Sequence, residues 1–322
     1  MKAVVADPIG GPENLKYTDL PMPEPGEGEA VVKIAAAGVN FIDVYFRTGF
    51  YKAPEFPVRL GSEGAGTVVA VGNGVTLPIG TRVAYTMARG SYAEYAAVPA
   101  NILVELPSEV SFKDAAASML QGMTAHYLTH STFALQPEQS CLVHAAAGGA
   151  GLLIVQMAKI AGATVIGTAS TEEKADLARE HGADHMIVYT KTDFVEEVKR
   201  ITNGRGVNVV YDSVGSTTFH KSLDCLLPRG MMVSFGQSSG PVGPIDPLVL
   251  SQKGSLFLTR PSLGYYIANP GELHWRSSDI FKWIAGGQLR LHIHKIYTLA
   301  AAADAHRDLE SRRTTGKLLL EP

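Results

Sequence analysis

Nine residues at 143–151, VHAAAGGAG, followed by the apolar segment 152–158, LLIVQMA, constrain this chain more than any other feature. They read as a buried strand, a glycine-rich turn and the start of a helix. Small residues at Ala145, Gly148 and Gly151 allow a close approach to the backbone, and the amides of a helix N-terminus then face whatever sits on the turn. That spacing, in a strand–turn–helix context, is the fingerprint of a dinucleotide pyrophosphate site. Ala147, Gly148, Gly149, Ala150 and Gly151 are the candidate contacts.

The next strand decides which dinucleotide. Residues 163–170, ATVIGTAS, end in Thr168, Ala169 and Ser170, at the place where an NAD-binding chain presents Asp or Glu to the ribose hydroxyls. No acid stands there. Lys174 follows four residues after Ser170, and Tyr189 closes the later apolar run MIVY at 186–189. A cation and hydroxyls around an acid-free pocket suit the extra phosphate of NADPH, because charge-assisted hydrogen bonds to phosphate are the strong kind. NADPH rather than NADH is therefore expected, with Ser170, Lys174 and Tyr189 as contacts. The alternatives are a solvated helix lysine beside Glu172 and Glu173, and a tyrosine that only packs a strand end.

The chain has 322 residues, enough for two domains each with its own core. A formal net charge of −3 with no basic run gives no footprint for nucleic acid or an anionic membrane. The only two cysteines, Cys141 and Cys225, lie in apolar surroundings and read as buried thiols, against a disulfide framework or a zinc cluster. The N-terminal residues MKAVVA start directly as a strand without a signal-peptide core, and no segment reaches membrane-span length. A cytoplasmic protein is expected.

Two textures divide the chain. The first hundred or so residues read as short strands between Gly and Pro turns, which is all-β in character. From 112 to 301 apolar strands alternate with helices, which calls for a parallel sheet. Strands are expected at 141–144, 164–168, 186–188, 207–212, 231–235 and 255–258, with helices at 172–181 and 193–202. Later segments, a helix near 279–285, a strand at 293–297, a helix at 299–311 and a strand at 317–321, are expected to rejoin the first domain. The fold class is α/β: a doubly wound Rossmann sheet plus a β-rich domain. The strand at 255–258 is apolar and placed at a sheet edge, so an edge-to-edge homodimer is expected.

With these motifs in order, the chain resembles the medium-chain dehydrogenase/reductase superfamily, and within it the zinc-independent bacterial NADPH:quinone oxidoreductases related to ζ-crystallin. The resemblance covers nearly the whole length and rests on GVNFID at 38–43, GSEGAG at 61–66, AAAGGAG at 145–151, YDSVG at 211–215, VSFG at 233–236 and TRPSL at 259–263. It implies a GroES-like catalytic domain from 1–122 and 262–322 and a Rossmann NADPH domain from 123–261. Zinc members carry Cys where Asn40 stands and His where Ser62 stands. With neither donor present, a tetrahedral zinc lacks N and S ligands, so no metal is expected. Gln121 stands where Lys is the expected residue of close bacterial relatives, a change near the nicotinamide.

By the same resemblance Asn40, Asp43 and Tyr45 line the cleft beside the nicotinamide, with Tyr51 near its mouth. A tyrosine hydroxyl can donate to a developing oxyanion and its ring can stack on a flat quinone. Tyr45, Asn40, Tyr51 and Arg260 are thus the catalytic candidates. Gln121, Thr124, Ser213, Phe235, Gly236, Gln237, Ser238 and Arg312 join the cofactor contacts. Each has a plainer alternative: Asn40 as a turn cap, Asp43 as a helix start, the tyrosines as wall residues, Arg260 as an inter-domain ion pair, Thr124 and Gln121 as helix packing, and Arg312 as a helix-end cation. The expected activity is two-electron reduction of a quinone or another electron-poor small molecule. The competing readings are reduction of α,β-unsaturated carbonyls and a non-catalytic nucleotide-binding sensor or structural protein.

Overall fold

The structure is a computed structural model that describes residues 1–322. The chain divides into two compact units. One comprises residues 1–123, 267–287 and 291–322, the other residues 124–266 and 288–290. The chain passes from the first to the second within the helix Phe112–Tyr127.

The second unit is built on six parallel strands. Their spatial order is His185–Val188, Thr164–Ala169, Ser140–Val143, Val207–Asp212, Leu226–Ser234 and Phe257–Thr259. Every neighbouring pair runs parallel. The order reverses direction at Ser140–Val143, the switch point where ligands of doubly wound sheets bind. Both cysteines are buried free thiols in this unit, and burial pushes each thiol up to about 12. The strand Phe257–Thr259 is outermost, with Phe257 57% exposed. It starts two residues later than its apolar pattern predicts, because Ser255 adopts φ 56° and its amide closes a turn onto Ser251.

The first unit carries a seven-stranded sheet and a three-stranded antiparallel sheet. In the larger, Lys317–Glu321 lies between Ile293–Thr298 and Glu29–Val39, and Glu29–Val39 also pairs with Glu63–Val71. The core between these sheets is filled by Val4, Val32, Val39, Val68, Tyr85, Leu318 and Leu320 among others. The last long helix runs from Pro270 to Ala285, well over a turn longer than the apolar pattern suggests. Asn269 caps it by accepting from the Gly271 amide, and Pro270 supplies a first helical residue with no N–H to satisfy.

Candidate active site

In the second unit, the strand Ser140–Val143 feeds a turn in which Ala145 holds φ 52° and the Gly148 amide donates to the Ala145 carbonyl at 2.9 Å. Gly148 is the N-cap of the helix Gly149–Ile160, and no side chain accepts from the helix's first amides. A Cβ on Gly151 would stand 2.2 Å from the Ala145 carbonyl oxygen, and one on Gly148 would stand 3.1 Å from it. The turn is therefore closed on one side by its own backbone and bare on the other. It offers unclaimed amide donors at the positive end of a helix, which fits a pyrophosphate.

At the end of the neighbouring strand the Tyr189 amide donates to the Ala169 carbonyl, and Ser170 accepts at its own carbonyl from Thr190 Oγ1. Thr171 caps the helix Glu172–Glu180 through the Lys174 amide. These bonds gather Ser170, Lys174 and Tyr189 at one strand end. Lys174 is partly buried, and burial lowers its ammonium pKa. The acid that follows, Glu172, is held by Lys191 Nζ at 2.8 Å, which lowers its pKa. A half-buried cation with hydroxyls beside it fits a phosphate monoester.

A second group forms at the carboxyl ends of the next three strands. Asp212 accepts from the Val214 and Gly215 amides and from Thr218 Oγ1, which shapes the turn after its strand. The Phe235 amide bonds the Asp212 carbonyl and the Ser238 amide bonds the Ser213 carbonyl. A Cβ on Gly236 would stand 2.6 Å from the Ser213 carbonyl oxygen. Arg260 Nη1 donates to the Ser234 carbonyl at 2.8 Å. Ser213, Phe235, Gly236, Gln237, Ser238 and Arg260 are thus brought together. Thr124 is buried in the helix Phe112–Tyr127, and Arg312 is exposed with φ 59° after the helix Ala302–Glu310.

In the first unit, strand register assembles a buried polar cluster. Leu318 pairs with Val39 and Ala37 with Gly64, both antiparallel, so the heads of two strands and the end of the one between them bring Lys317, Glu63 and Asn40 to one point. Lys317 Nζ donates to Asn40 Oδ1 at 2.8 Å and to Glu63 Oε1. Asn40 Nδ2 donates to Glu63 Oε1 at 2.7 Å. Glu63 Oε2 accepts from the Leu120 amide, and Gln121 Nε2 donates to Asn40 Oδ1 at 3.1 Å. The Glu63 side chain is fully buried and that of Lys317 is 3% exposed. Burial lowers the Lys317 ammonium while Glu63 holds it up. Gly38 makes room for this pair, since a Cβ there would stand 2.0 Å from Glu63 Oε1.

Asn40 is also the N-cap of the helix Phe41–Arg47, whose third residue, Asp43, accepts from the Asn40 amide at 3.0 Å. Asp43 accepts further from Ser62 Oγ at 2.7 Å and from Tyr92 OH at 3.1 Å. Burial raises its carboxyl to about 6. Beyond Tyr92 lie His306 and Arg47. Arginine only donates, so Arg47 fixes His306 Nδ1 as the acceptor and the ring proton on Nε2. That proton then points at Tyr92 OH, and Tyr92 donates on to Asp43. Burial, with Arg47 beside it, pushes His306 down to about 3. Arg47 is closed by a bidentate bond to Glu310, 2.8 Å in each arm.

Beside this cluster the same short helix carries an aromatic wall. The Tyr45 and Tyr51 rings meet edge to face at 5.2 Å, and Phe50 lies 5.7 Å from Tyr45. The Tyr51 amide donates to the Tyr45 carbonyl, which folds the loop back on the helix. The tyrosines are part-exposed and Phe50 is exposed, so the wall presents apolar area with two hydroxyls. No three His, Cys, Asp or Glu side chains gather where they could hold a metal ion.

Asn40, Asp43, Gln121, Tyr45 and Tyr51 therefore belong to one neighbourhood. Glu63, Lys317, Tyr92, His306 and Arg47 share it and are absent from the sequence-level candidates. Their only signal in the sequence is Lys317 at the head of the apolar run LLL, an odd place for a charge.

Comparison with known proteins agrees with this architecture. The profile of the alcohol dehydrogenase GroES-like domain matches residues 26–108, and that of the zinc-binding dehydrogenases matches residues 149–266. The chain is 48% identical to a quinone oxidoreductase of Pseudomonas aeruginosa and 46% identical to quinone oxidoreductase 1 of Escherichia coli, with 97% of each chain covered. It is 42% identical to a 2-haloacrylate reductase of a Burkholderia species over 99% of its own length and 98% of that protein's. The crystal structure of E. coli quinone oxidoreductase complexed with NADPH superposes with a TM-score of 0.98 at 45% identity, all of both chains covered. The chain belongs to the quinone oxidoreductase family of the medium-chain dehydrogenases/reductases.

Proposed function

We propose that this protein reduces quinones to hydroquinones with NADPH and without a metal. The observation that carries the reading is the pairing of an aromatic wall with a fully hydrogen-bonded amide where zinc members have ligands. Asn40 and Ser62 are poor ligands for zinc, and both are spent on protein partners. A site without a Lewis acid suits an acceptor that needs no polarisation, and a quinone gains an aromatic ring on reduction. Relatives named quinone oxidoreductase along the whole chain support the same reading.

Bound NADPH supplies the hydride. The bare amides at Gly149 to Gly151 hold the pyrophosphate, and Ser170, Lys174 and Tyr189 hold the 2′-phosphate. Ser213, Phe235, Gly236, Gln237 and Ser238 meet the ribose and carboxamide, while Arg260, Thr124 and Arg312 complete the cofactor contacts. Tyr45 and Tyr51 stack on the quinone, and the Tyr45 hydroxyl donates to the oxygen that gains charge. Asn40, its amide already committed to Glu63, Gln121 and Lys317, shapes the wall instead of moving a proton. Asp43 fixes the helix that carries Tyr45. We assign the unit with the parallel sheet to the cofactor and the other to the quinone.

A second reading, reduction of the C=C bond of an activated alkene, is favoured by the 42% identity to a 2-haloacrylate reductase. Initial rates with NADPH against 9,10-phenanthrenequinone, 1,4-benzoquinone and a short enone, with and without a chelator, separate the two. Fast, chelator-insensitive turnover of the quinones is expected, and turnover confined to the enone overturns the proposal.

We further assign the outermost strand Phe257–Thr259 to a homodimer joined edge to edge, since its unpaired edge and 57% exposed Phe257 invite a second strand. Sedimentation as a monomer counts against it. No helix is long and apolar enough to cross a membrane, and we place the protein in the cytoplasm, where its two buried thiols stay reduced.

A further inference from the structure

A small cavity in the first unit is lined by two arginines and by no acid. It lies against the strand Lys2–Ala6, has a volume of about 30 Å³ and takes in Arg59 and Arg89. Backbone pairing brings these two together. Val5 of that strand stands opposite Arg59, and the Gly90 amide, next to Arg89, donates to the Leu60 carbonyl, next to Arg59, at 3.1 Å. The Arg59 side chain passes over Gly90, where a Cβ would stand 4.0 Å from its Cδ. Arg89 is part-exposed, and its Cζ lies 5.1 Å from the centroid of the Phe46 ring. That ring is the only protein partner of either guanidinium. Elsewhere the chain treats the same group differently: Arg47, Arg276 and Arg307 each meet a carboxylate at 2.8 Å or less. Two neighbouring cations repel, and ten N–H donors between them find no acceptor in the protein.

We propose that Arg59 and Arg89 form a binding site for the carboxylate of a small organic acid. The cavity has room for about two oxygen-sized atoms, which suits a carboxylate and is too little for the four oxygens of a phosphate. A guanidinium presents paired N–H donors at the spacing of two carboxylate oxygens. Leu20 and Pro23, both part-exposed, line the same cavity and supply apolar surface for the carbon body of the acid. Every lining residue falls between Met1 and Ala97, so the site belongs to the first unit alone and stands independently of the nucleotide that the chain binds.

The test is calorimetric titration of benzoate and of its neutral isostere benzamide into the full chain, as wild type, Arg59→Met and Arg89→Met. Wild type is expected to bind benzoate about tenfold or more tightly than benzamide, the effect of one charge-assisted hydrogen bond. Each variant is expected to lose about tenfold in benzoate affinity with benzamide unchanged, and Arg89→Lys, which keeps the charge and loses the fork, to recover only part of the loss. Equal binding of benzoate by wild type and both variants would place the acid elsewhere, on the aromatic wall for example, and leave water alone in the cavity; that result overturns the proposal. Benzoate no tighter than benzamide overturns it as well, and chloride displacing benzoate at equal concentration overturns the assignment to a carboxylate. Arg59 is exposed, so Arg59→Met folds even where Arg89→Met does not, and unchanged benzoate affinity in it is decisive against the site.

Discussion

The two units make their sites from opposite materials. The glycine turn at residues 145–151 is almost all backbone: small side chains, a positive φ at Ala145 and a helix end without a side-chain cap. The Asn40 cluster is almost all side chain, with residues 40, 43, 47, 62, 63, 92, 121, 306 and 317 joined by buried hydrogen bonds and ion pairs. A backbone site depends on what residues lack, and it tolerates no added atoms. A side-chain site depends on every partner being present, and one deletion leaves a buried charge or an unpaired acceptor.

The largest expected effect separates these two modes directly. Lys317→Met leaves the Glu63 carboxylate buried without its cation and is expected to cost about 3–5 kcal/mol of stability. Adding Glu63→Gln is expected to recover most of it. Urea unfolding midpoints of the three proteins check this, and a single variant as stable as wild type would show that the pair carries no such weight. The opposite failure is expected from an atom added to the turn. In Gly151→Ala the new Cβ meets the Ala145 carbonyl, which is backbone and cannot rotate away. A loss of about 1–3 kcal/mol is expected, with NADPH affinity falling tenfold or more in titration and quinone reduction failing in parallel. Normal NADPH binding by this variant would break the claim that the turn is closed on one side.

That contrast also decides what the sequence reveals. The glycine turn, the acid-free end at Ser170 and the six parallel strands are legible because each follows from residue types within a short window. The first half of the helix Pro270–Ala285 escapes the apolar pattern, which finds only its end at 279–285, because its start is marked by the cap residues Asn269 and Pro270 instead. The Asn40 cluster is another matter. Its helix start is visible in Asn40 and Asp43, yet nothing local pairs Glu63 with Lys317, which lie 254 residues apart. Only the strand register that sets Leu318 opposite Val39 joins them. The same holds for His306, which reads as one more helical histidine until Arg47 and Tyr92 are placed on its two nitrogens.

A smaller effect sharpens the comparison by titration. Burial raises Asp43 to about 6, above its unfolded value of about 3.9. The folded state therefore holds more protons there, and this contribution to stability is lost as pH rises from about 4 to about 6. His306 at about 3 lies below its unfolded value of about 6.5, so the folded state holds fewer protons and stability is gained as pH rises through the same window. The two slopes oppose each other. Asp43→Asn is expected to melt higher as pH rises from about 4 to about 6, and His306→Gln to melt lower, with wild type flatter than either. Identical slopes in all three proteins would show that the buried chain through Tyr92 does not titrate as its geometry requires.

The most direct test of the central claim, that the parallel-sheet unit holds NADPH through bare amides and an acid-free strand end, is a side-by-side titration of NADPH and NADH into wild type and Lys174→Ala. Wild type is expected to bind NADPH about tenfold or more tightly than NADH, as one charged hydrogen bond to the 2′-phosphate requires, and Lys174→Ala to lose most of that margin while binding NADH unchanged. Equal affinities in wild type, or a preference for NADH, would contradict the account.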